Sequence, residues 1–200
     1  GPDTDKNAAP LWSLLRPSPL VADKKGSANK LDELVASTKT DAALRTLLSE
    51  PAVESLLAAV ADHSPFLWRL AASDHARLRD MLESDPTHAI ASALDRLAAE
   101  CRSATDQAEV MTRLRRARQF TALYIALADL GGVWGLEQVT AALTAAADAF
   151  VSVALDFLIR EAVADGKFSP VDSADPQVEC GLVVLALGKH GAGELNDSSD

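Results

Sequence analysis

Apolar residues recur at helical spacing along most of the chain, from about residue 29 to residue 165. Many of these runs begin at a Ser, Thr or Asp, or at a Pro, as helix N-termini do. The predicted starts are Thr40 or Asp41, Pro51, Ser64-Pro65, Asp74, Asp85-Pro86 and Thr105 or Asp106. The pattern therefore predicts a mainly α fold, with a helical domain over residues 29–170.

Two of the predicted helices are long. One follows Asp106 and ends near Leu130, before the pair Gly131-Gly132; the next runs from Leu136 to about residue 165. The second has a broad apolar face, so we expect other helices to cover it. The preceding residues 1–28 contain four prolines and predict a flexible lead-in, held at most by Trp12 and Leu15.

The pattern changes near the end of the chain. Residues 181–187 are continuously apolar and rich in Val and Leu, which favours a short buried strand. Glycines follow at 188, 191 and 193, with Lys189 between the first two. Glycines allow the backbone to approach a ligand closely, and a cation in the same turn suits an anionic group such as phosphate. We therefore predict a phosphate-binding turn here.

Two common phosphate loops do not fit this turn. Lys189 precedes the second and third glycines and is followed by His190, where a Walker A loop has Ser or Thr. The glycines run G-x-x-G-x-G, the reverse of the dinucleotide-binding fingerprint. The four histidines include no ligand-spaced pair, and we assign His190 no catalytic role.

The string GKHGAGELNDSSD at residues 188–200 resembles a specific motif. It is similar to G-K-x-G-G-x-E-L-N-x-x-S-D-I-D-L of the glutamine synthetase adenylyltransferase/deadenylase family, within the DNA polymerase β-type nucleotidyltransferase superfamily. Ala192 stands where that family usually has a second glycine. The second carboxylate of the motif would lie two residues beyond Asp200.

The resemblance implies that residues 176–200 begin an α/β nucleotidyltransferase core, with a first strand and a glycine turn, that is incomplete here. Such enzymes use two Mg²⁺ ions held by closely spaced carboxylates. Asp200 would be the first ligand and a catalytic residue. Because one Asp cannot hold two ions, we expect this 200-residue piece to be inactive. The resemblance implies that the nucleotide phosphates are framed by Gly188, Lys189, Gly191 and Gly193, with Ser198 or Ser199 nearby.

The family is bacterial, bifunctional and active in nitrogen control. Because the motif follows a single helical region, the resemblance points to the N-terminal half, which removes AMP from adenylylated glutamine synthetase by phosphorolysis and releases ADP. The other half attaches AMP from ATP. The implied partners are glutamine synthetase, ATP, ADP and phosphate, with a PII signal-transduction protein as a further candidate. Two alternatives stay open: the AMP-attaching half, and a non-catalytic helical protein-interaction module.

Charge narrows the classes of partner. The net charge of −10 argues against binding a nucleic-acid backbone, which needs a basic face. The densest basic cluster is Arg113, Arg115, Arg116 and Arg118, within a predicted helix. It is either a solvated helix face or an Arg-rich helix such as the family carries before its catalytic domain.

The two cysteines, Cys101 and Cys180, are far apart, and we interpret them as reduced thiols of a cytoplasmic protein. We expect no membrane association, because no apolar stretch reaches membrane-spanning length and the N-terminus lacks the charged-then-apolar layout of a signal peptide.

Overall fold

The fold is known from a computed structural model that describes residues 9–17, 21–172 and 175–196. These residues form ten helical segments and contain no β-strand, which confirms the mainly α prediction. In chain order the segments are α1 (Leu11–Leu14), α2 (Lys24–Ser37), α3 (Ala42–Leu48), α4 (Pro51–His63), α5 (Pro65–Ser73), α6 (His75–Glu83), α7 (Pro86–Arg102), α8 (Gln107–Leu130), α9 (Leu136–Ala164) and α10 (Gly188–Gly191).

Local sequence accounts for where most of these helices begin. In four of them the predicted cap side chain accepts a hydrogen bond from the backbone N–H three residues later, and so satisfies a donor that the helix itself leaves free. The pairs are Asp41 with Leu44, Ser64 with Leu67, Asp74 with Arg77, and Asp85 with His88. These contacts confirm the predicted starts of α3, α5, α6 and α7.

The chain divides into two compact units. The first comprises Gly1–Ala91 and Gln119–Val139, and the second comprises Ser92–Arg118 and Thr140–Asp200. The boundaries fall inside α7, α8 and α9, so each of these helices contributes residues to both units.

The first unit has a leucine-rich core. Its fully buried side chains include Leu44, Val53, Leu56, Leu57, Leu78, Leu82, Leu123 and Leu127. Tyr124 is also fully buried, and its hydroxyl oxygen lies 2.7 Å from the carbonyl oxygen of Met81 and 2.8 Å from that of Ser84. The phenol thereby joins α8 to the end of α6.

Part of the expected flexible lead-in is helical and packed. Leu11 in α1 is fully buried, and its backbone N–H donates to the Ser84 carbonyl oxygen at 2.9 Å. Helix α2 begins at Lys24, ahead of the predicted boundary at residue 28. The burial of Leu11 and its backbone hydrogen bond hold this segment in the first unit, and Pro10 precedes the helix, where proline does not break it.

The Asp62 carboxylate connects the end of α4 to the segment before α2. It accepts hydrogen bonds from the backbone N–H groups of Ala22, at 2.8 Å, and Asp23, at 3.0 Å. These two bonds lower the pKa of Asp62, the bond from Ala22 having the larger effect.

The second unit has a smaller core from α7, α8 and α9. Its buried members are Leu97, Cys101, Ala104, Val110, Val153 and Phe157. Burial raises the pKa of the Cys101 thiol, so the protonated form is favoured and the thiol is a poor nucleophile.

Helix α9 corrects one expectation. By length and composition alone it could cross a membrane, so the statement that no apolar stretch reaches that length is wrong; core helices of soluble proteins meet the same test. The expectation failed because Asp148 interrupts the apolar run in the sequence, although the helix as a whole remains apolar. Only 22% of its most apolar 18-residue window is buried in the structure, so other helices cover less of it than we expected.

Candidate phosphate-binding turn

The predicted strand leads into the candidate site. Leu182, Val183, Val184, Leu185 and Leu187 expose between 55% and 81% of their surface, and residues 182–187 have no assigned helix or strand. Leu187 has an extended backbone, with φ −119° and ψ 165°. A strand is defined by pairing with another strand, and the described residues contain no such partner. The buried strand therefore stays a prediction.

The glycine turn is a compact element held by its own backbone. Gly188–Gly191 form one helical turn, after which the chain folds back. The N–H of Ala192 donates to Gly188 O at 3.0 Å, that of Gly193 to His190 O at 3.0 Å, and that of Glu194 to Lys189 O at 2.7 Å. The predicted residues 188, 189, 191 and 193 are thus brought together.

The turn requires its glycines for backbone reasons. Gly188 and Gly193 have φ of +59° and +72°, a region that side chains disfavour. A Cβ on Gly191 would overlap the carbonyl oxygen of Ala186. The backbone of the turn therefore explains the presence of these glycines without any ligand. Lys189 is the residue whose role distinguishes a ligand-binding turn from a purely structural one.

Lys189 is exposed, and its Nζ lies 3.3 Å from Oδ1 of Asn196, on the returning arm of the turn. An exposed ammonium group at this distance from a neutral amide remains available to an anion. The other predicted site residues, Ser198, Ser199 and Asp200, lie outside the described residues.

The magnesium prediction depends on carboxylates that the structure does not describe. Within residues 9–17, 21–172 and 175–196, no group of three His, Cys, Asp or Glu side chains is arranged to hold a metal ion. The described residues thus do not form the donor set by themselves, and Asp200 stays a predicted ligand.

His190 makes a contact that was not predicted from the sequence. Its Nε2 lies 2.6 Å from Oδ1 of Asp148, which is 42 residues earlier on α9. One cue was present, because Asp148 is the only charged residue of α9 between Glu137 and Asp156. The Asp148 side chain is 64% exposed, so this cue does not by itself require a polar partner.

The arginine cluster is partly accounted for by structure. Arg113 pairs with Glu109 on its own helix and with Glu100 on α7, at 3.7 Å from the latter. Arg115, Arg116 and Arg118 are exposed. Arg113 thus links α7 to α8, and both interpretations of the remaining arginines stay open.

A cleft of about 670 Å³ lies beside the end of α7 in the second unit. One of its lining cations, Arg160, donates to Asp156 Oδ2 at 2.9 Å and to the carbonyl oxygens of Cys101 and Arg102 at 2.8 and 2.7 Å. The guanidinium group is committed to the last carbonyls of α7, as basic groups at helix C-termini often are. The cleft is therefore a weaker candidate site than the turn.

Comparison with known proteins identifies the family. A family model described as glutamate-ammonia ligase adenylyltransferase matches residues 54–200. The chain belongs to this family. The resemblance first seen at residues 188–200 is thereby confirmed, and it extends back through the helices to α4.

Relatives in this family share much of the sequence. Three of them, each named bifunctional glutamine synthetase adenylyltransferase/adenylyl-removing enzyme, illustrate this. The protein from Xanthobacter autotrophicus is 45% identical over 95% of this chain and 19% of its own length. Those from Bradyrhizobium sp. and Bradyrhizobium diazoefficiens are 42% and 38% identical, over 91% and 99% of this chain and 19% and 20% of their own lengths. The chain thus spans about a fifth of the length of these relatives, and no solved structure matches it.

Proposed function

We propose that this chain is part of a bacterial nucleotidyltransferase that attaches AMP to glutamine synthetase and removes it again. The observation that carries the proposal is the family match through residues 54–200, which includes the glycine turn and the motif around it. We assign the chain to the half that removes AMP, on the sequence resemblance given above.

The proposed reaction is phosphorolysis. An oxygen of inorganic phosphate attacks the phosphorus of the tyrosine-bound AMP, the bond from that phosphorus to the tyrosine oxygen breaks, and the products are ADP and the free tyrosine. The substrate and the attacking phosphate are both anions, so the site must neutralise charge and hold them close together.

Lys189 is the described residue best suited to this task. Its ammonium group would neutralise phosphate oxygens, while the glycines allow the nucleotide to approach the backbone. Ser198 or Ser199 would donate to the same oxygens. Magnesium, held by Asp200 with a second carboxylate, would supply further charge neutralisation when bound.

One observation favours a non-catalytic helical interaction module as the second candidate. The glycines are required by the turn itself, so their presence does not by itself demand a ligand. The AMP-attaching half of the same enzyme is a further alternative, because it would use the same turn.

The deciding experiment uses the full-length protein. Adenylylated glutamine synthetase and inorganic phosphate are supplied, and ADP release is measured against reactions without phosphate. ADP release that is abolished by changes in this segment supports the deadenylylating assignment. If changes in the segment abolish AMP attachment from ATP but leave phosphorolysis unaffected, the segment belongs to the other half. If they affect neither activity, the segment is an interaction module.

Lys189→Ala is the sharpest variant for this assay. Loss of a charged contact to phosphate should raise the KM for phosphate roughly ten- to a hundredfold. Lys167→Ala is the matched control, because Lys167 is also exposed and lies outside the turn. Its Nζ forms an ion pair with Oδ2 of the nearby Asp165, at 2.8 Å. Equal KM values for the two variants would contradict the role of Lys189.

The proposal also includes a cytoplasmic location, use of ATP, ADP and phosphate, and contact with a PII-type regulator. We also propose that the 200-residue chain alone is inactive, which the same ADP-release assay can examine.

A further inference from the structure

The side chain of His190 differs from its neighbours in the turn. Residues 181–189 and 191–194 are exposed, whereas the His190 side chain exposes only 26% of its surface. Its imidazole is directed to α9, where Nε2 meets Asp148 Oδ1 at 2.6 Å. Because an ionised carboxylate can only accept hydrogen bonds, Nε2 must carry the proton.

This contact is of a different kind from the others in the turn. The backbone hydrogen bonds of residues 191–194 join them to residues 187–190, within the turn itself. The bond from His190 to Asp148 instead reaches a helix 42 residues away in sequence. It therefore joins the turn to α9, which the backbone bonds within the turn do not.

The position of Asp148 supports a specific docking point. The stretch of α9 from residue 138 to residue 155 contains no other charged residue. The charged groups within the turn are Lys189 and Glu194. Among Asp148, Lys189 and Glu194, the group that pairs with the His190 imidazole is the Asp148 carboxylate.

Docking His190 also determines where Lys189 points. Successive residues in a helical turn are rotated by about 100° around its axis. With His190 turned towards α9, the adjacent Lys189 is directed elsewhere, and it is exposed with Nζ near Asn196. A turn released from α9 would keep its own backbone bonds but could move as a whole relative to α9, and Lys189 would move with it.

We propose that the His190–Asp148 pair is a positioning device that docks the glycine turn on α9 and so presents Lys189 to the phosphates of the nucleotide. The docking itself stands on the contact, and the presentation of Lys189 rests on the proposed function. His190 is thus a positioning residue that acts through Lys189.

The first arm of the test measures docking in the 200-residue chain, without any activity. Hydrogen exchange is followed at the amides of Ala192, Gly193 and Glu194, which are bonded within the turn. Asp148→Ala removes the acceptor while favouring helix in α9. It should speed exchange of these amides about two- to fivefold, the range for a partly exposed ion pair.

Two comparisons make this arm specific. Glu161→Ala removes another exposed carboxylate from α9 and should leave exchange in the turn unchanged. His190→Ala combined with Asp148→Ala should speed exchange no more than His190→Ala alone, because the two side chains act as a unit. Additive effects, or unchanged exchange in Asp148→Ala, would overturn the docking.

The second arm uses the full-length enzyme. Asp148→Ala should raise the KM for inorganic phosphate about two- to fivefold with kcat nearly unchanged, and Asp148→Glu, which keeps the carboxylate, should lie closer to wild type. Faster exchange with an unchanged KM would overturn the positioning role. A wild-type enzyme without phosphorolysis would overturn the proposed function and the positioning role, whereas the exchange result would still decide the docking.

Discussion

The first unit and the segment from residue 178 to residue 196 differ in how far their apolar side chains are buried. In α4, Val53, Leu56 and Leu57 are fully buried, whereas Val183 and Leu185 expose 74% and 76% of their surface. Both stretches contain several Val and Leu residues. An apolar side chain is therefore buried only where other parts of the chain pack against it, and its hydrophobicity alone does not ensure this.

The same two regions also divide stability from chemistry. The first unit holds a dense core, and none of the predicted site residues belongs to it. The glycine turn holds Lys189 in the second unit with local bonds and the contact to α9. Binding elements are often less tightly packed than the scaffold that carries them. Changes in the two regions should therefore have effects of different kinds.

The largest effect is expected on activity. Asp200→Asn in the full-length enzyme should lower the kcat of phosphorolysis by about a hundredfold or more, because it removes a proposed magnesium ligand. The midpoint of thermal unfolding should stay the same, which circular dichroism can measure. Asp165→Asn is a control at an exposed acid. Turnover equal to wild type would remove Asp200 from the site.

The next effect is expected on stability alone. Leu57→Ala should lower the free energy of unfolding by about 2–5 kcal/mol, because it leaves a cavity in a fully buried part of the core. Urea unfolding of the 200-residue chain measures this value. A loss below about 1 kcal/mol would show that the first unit is less tightly packed than its buried surface indicates.

Tyr124→Phe should have an intermediate effect. It removes the single O–H that the carbonyl oxygens of Met81 and Ser84 share, at a cost of about 1–3 kcal/mol in the free energy of unfolding near neutral pH. Urea unfolding of the two proteins at the same pH gives the difference. Equal stability would mean that water replaces the phenol.

The same tyrosine predicts a pH dependence. Burial, and to a lesser extent the Asp85 carboxylate, raises the pKa of Tyr124 above its ordinary value of 10.0. The unfolded chain ionises first, so the stability of wild type should fall as the pH rises above about 10. Tyr124→Phe should lack this slope. Tyr124 is the only tyrosine, so tyrosinate absorbance reports on it alone.

The smallest effect should come from Leu185→Ala. The chemical change is the same as in Leu57→Ala, but Leu185 is 76% exposed, so the free energy of unfolding should change by less than about 0.5 kcal/mol. Measuring both variants under the same urea conditions isolates the effect of burial. A loss as large as that of Leu57→Ala would mean that the apolar run is buried in solution.

Local sequence determined most of the helical fold. The caps of α3, α5 and α6 could be predicted because each cap bonds a backbone N–H only three residues away. The glycine motif was likewise visible, since its members lie within six residues of one another. In both cases the interacting groups are brought together by the chain itself, whatever the rest of the protein does.

Tertiary structure decided the remaining features. Leu11 is buried because the chain near Ser84 lies beside it, and His190 meets Asp148 because α9 passes the turn. Nothing near these residues in sequence specifies such partners, which lie 73 and 42 positions away. The sequence alone determined most of the helices, though not α1 or the start of α2, and it showed which residues resemble a phosphate-binding turn. The path of the chain decided what each of them contacts, because contacts between distant residues depend on how all the helices pack together.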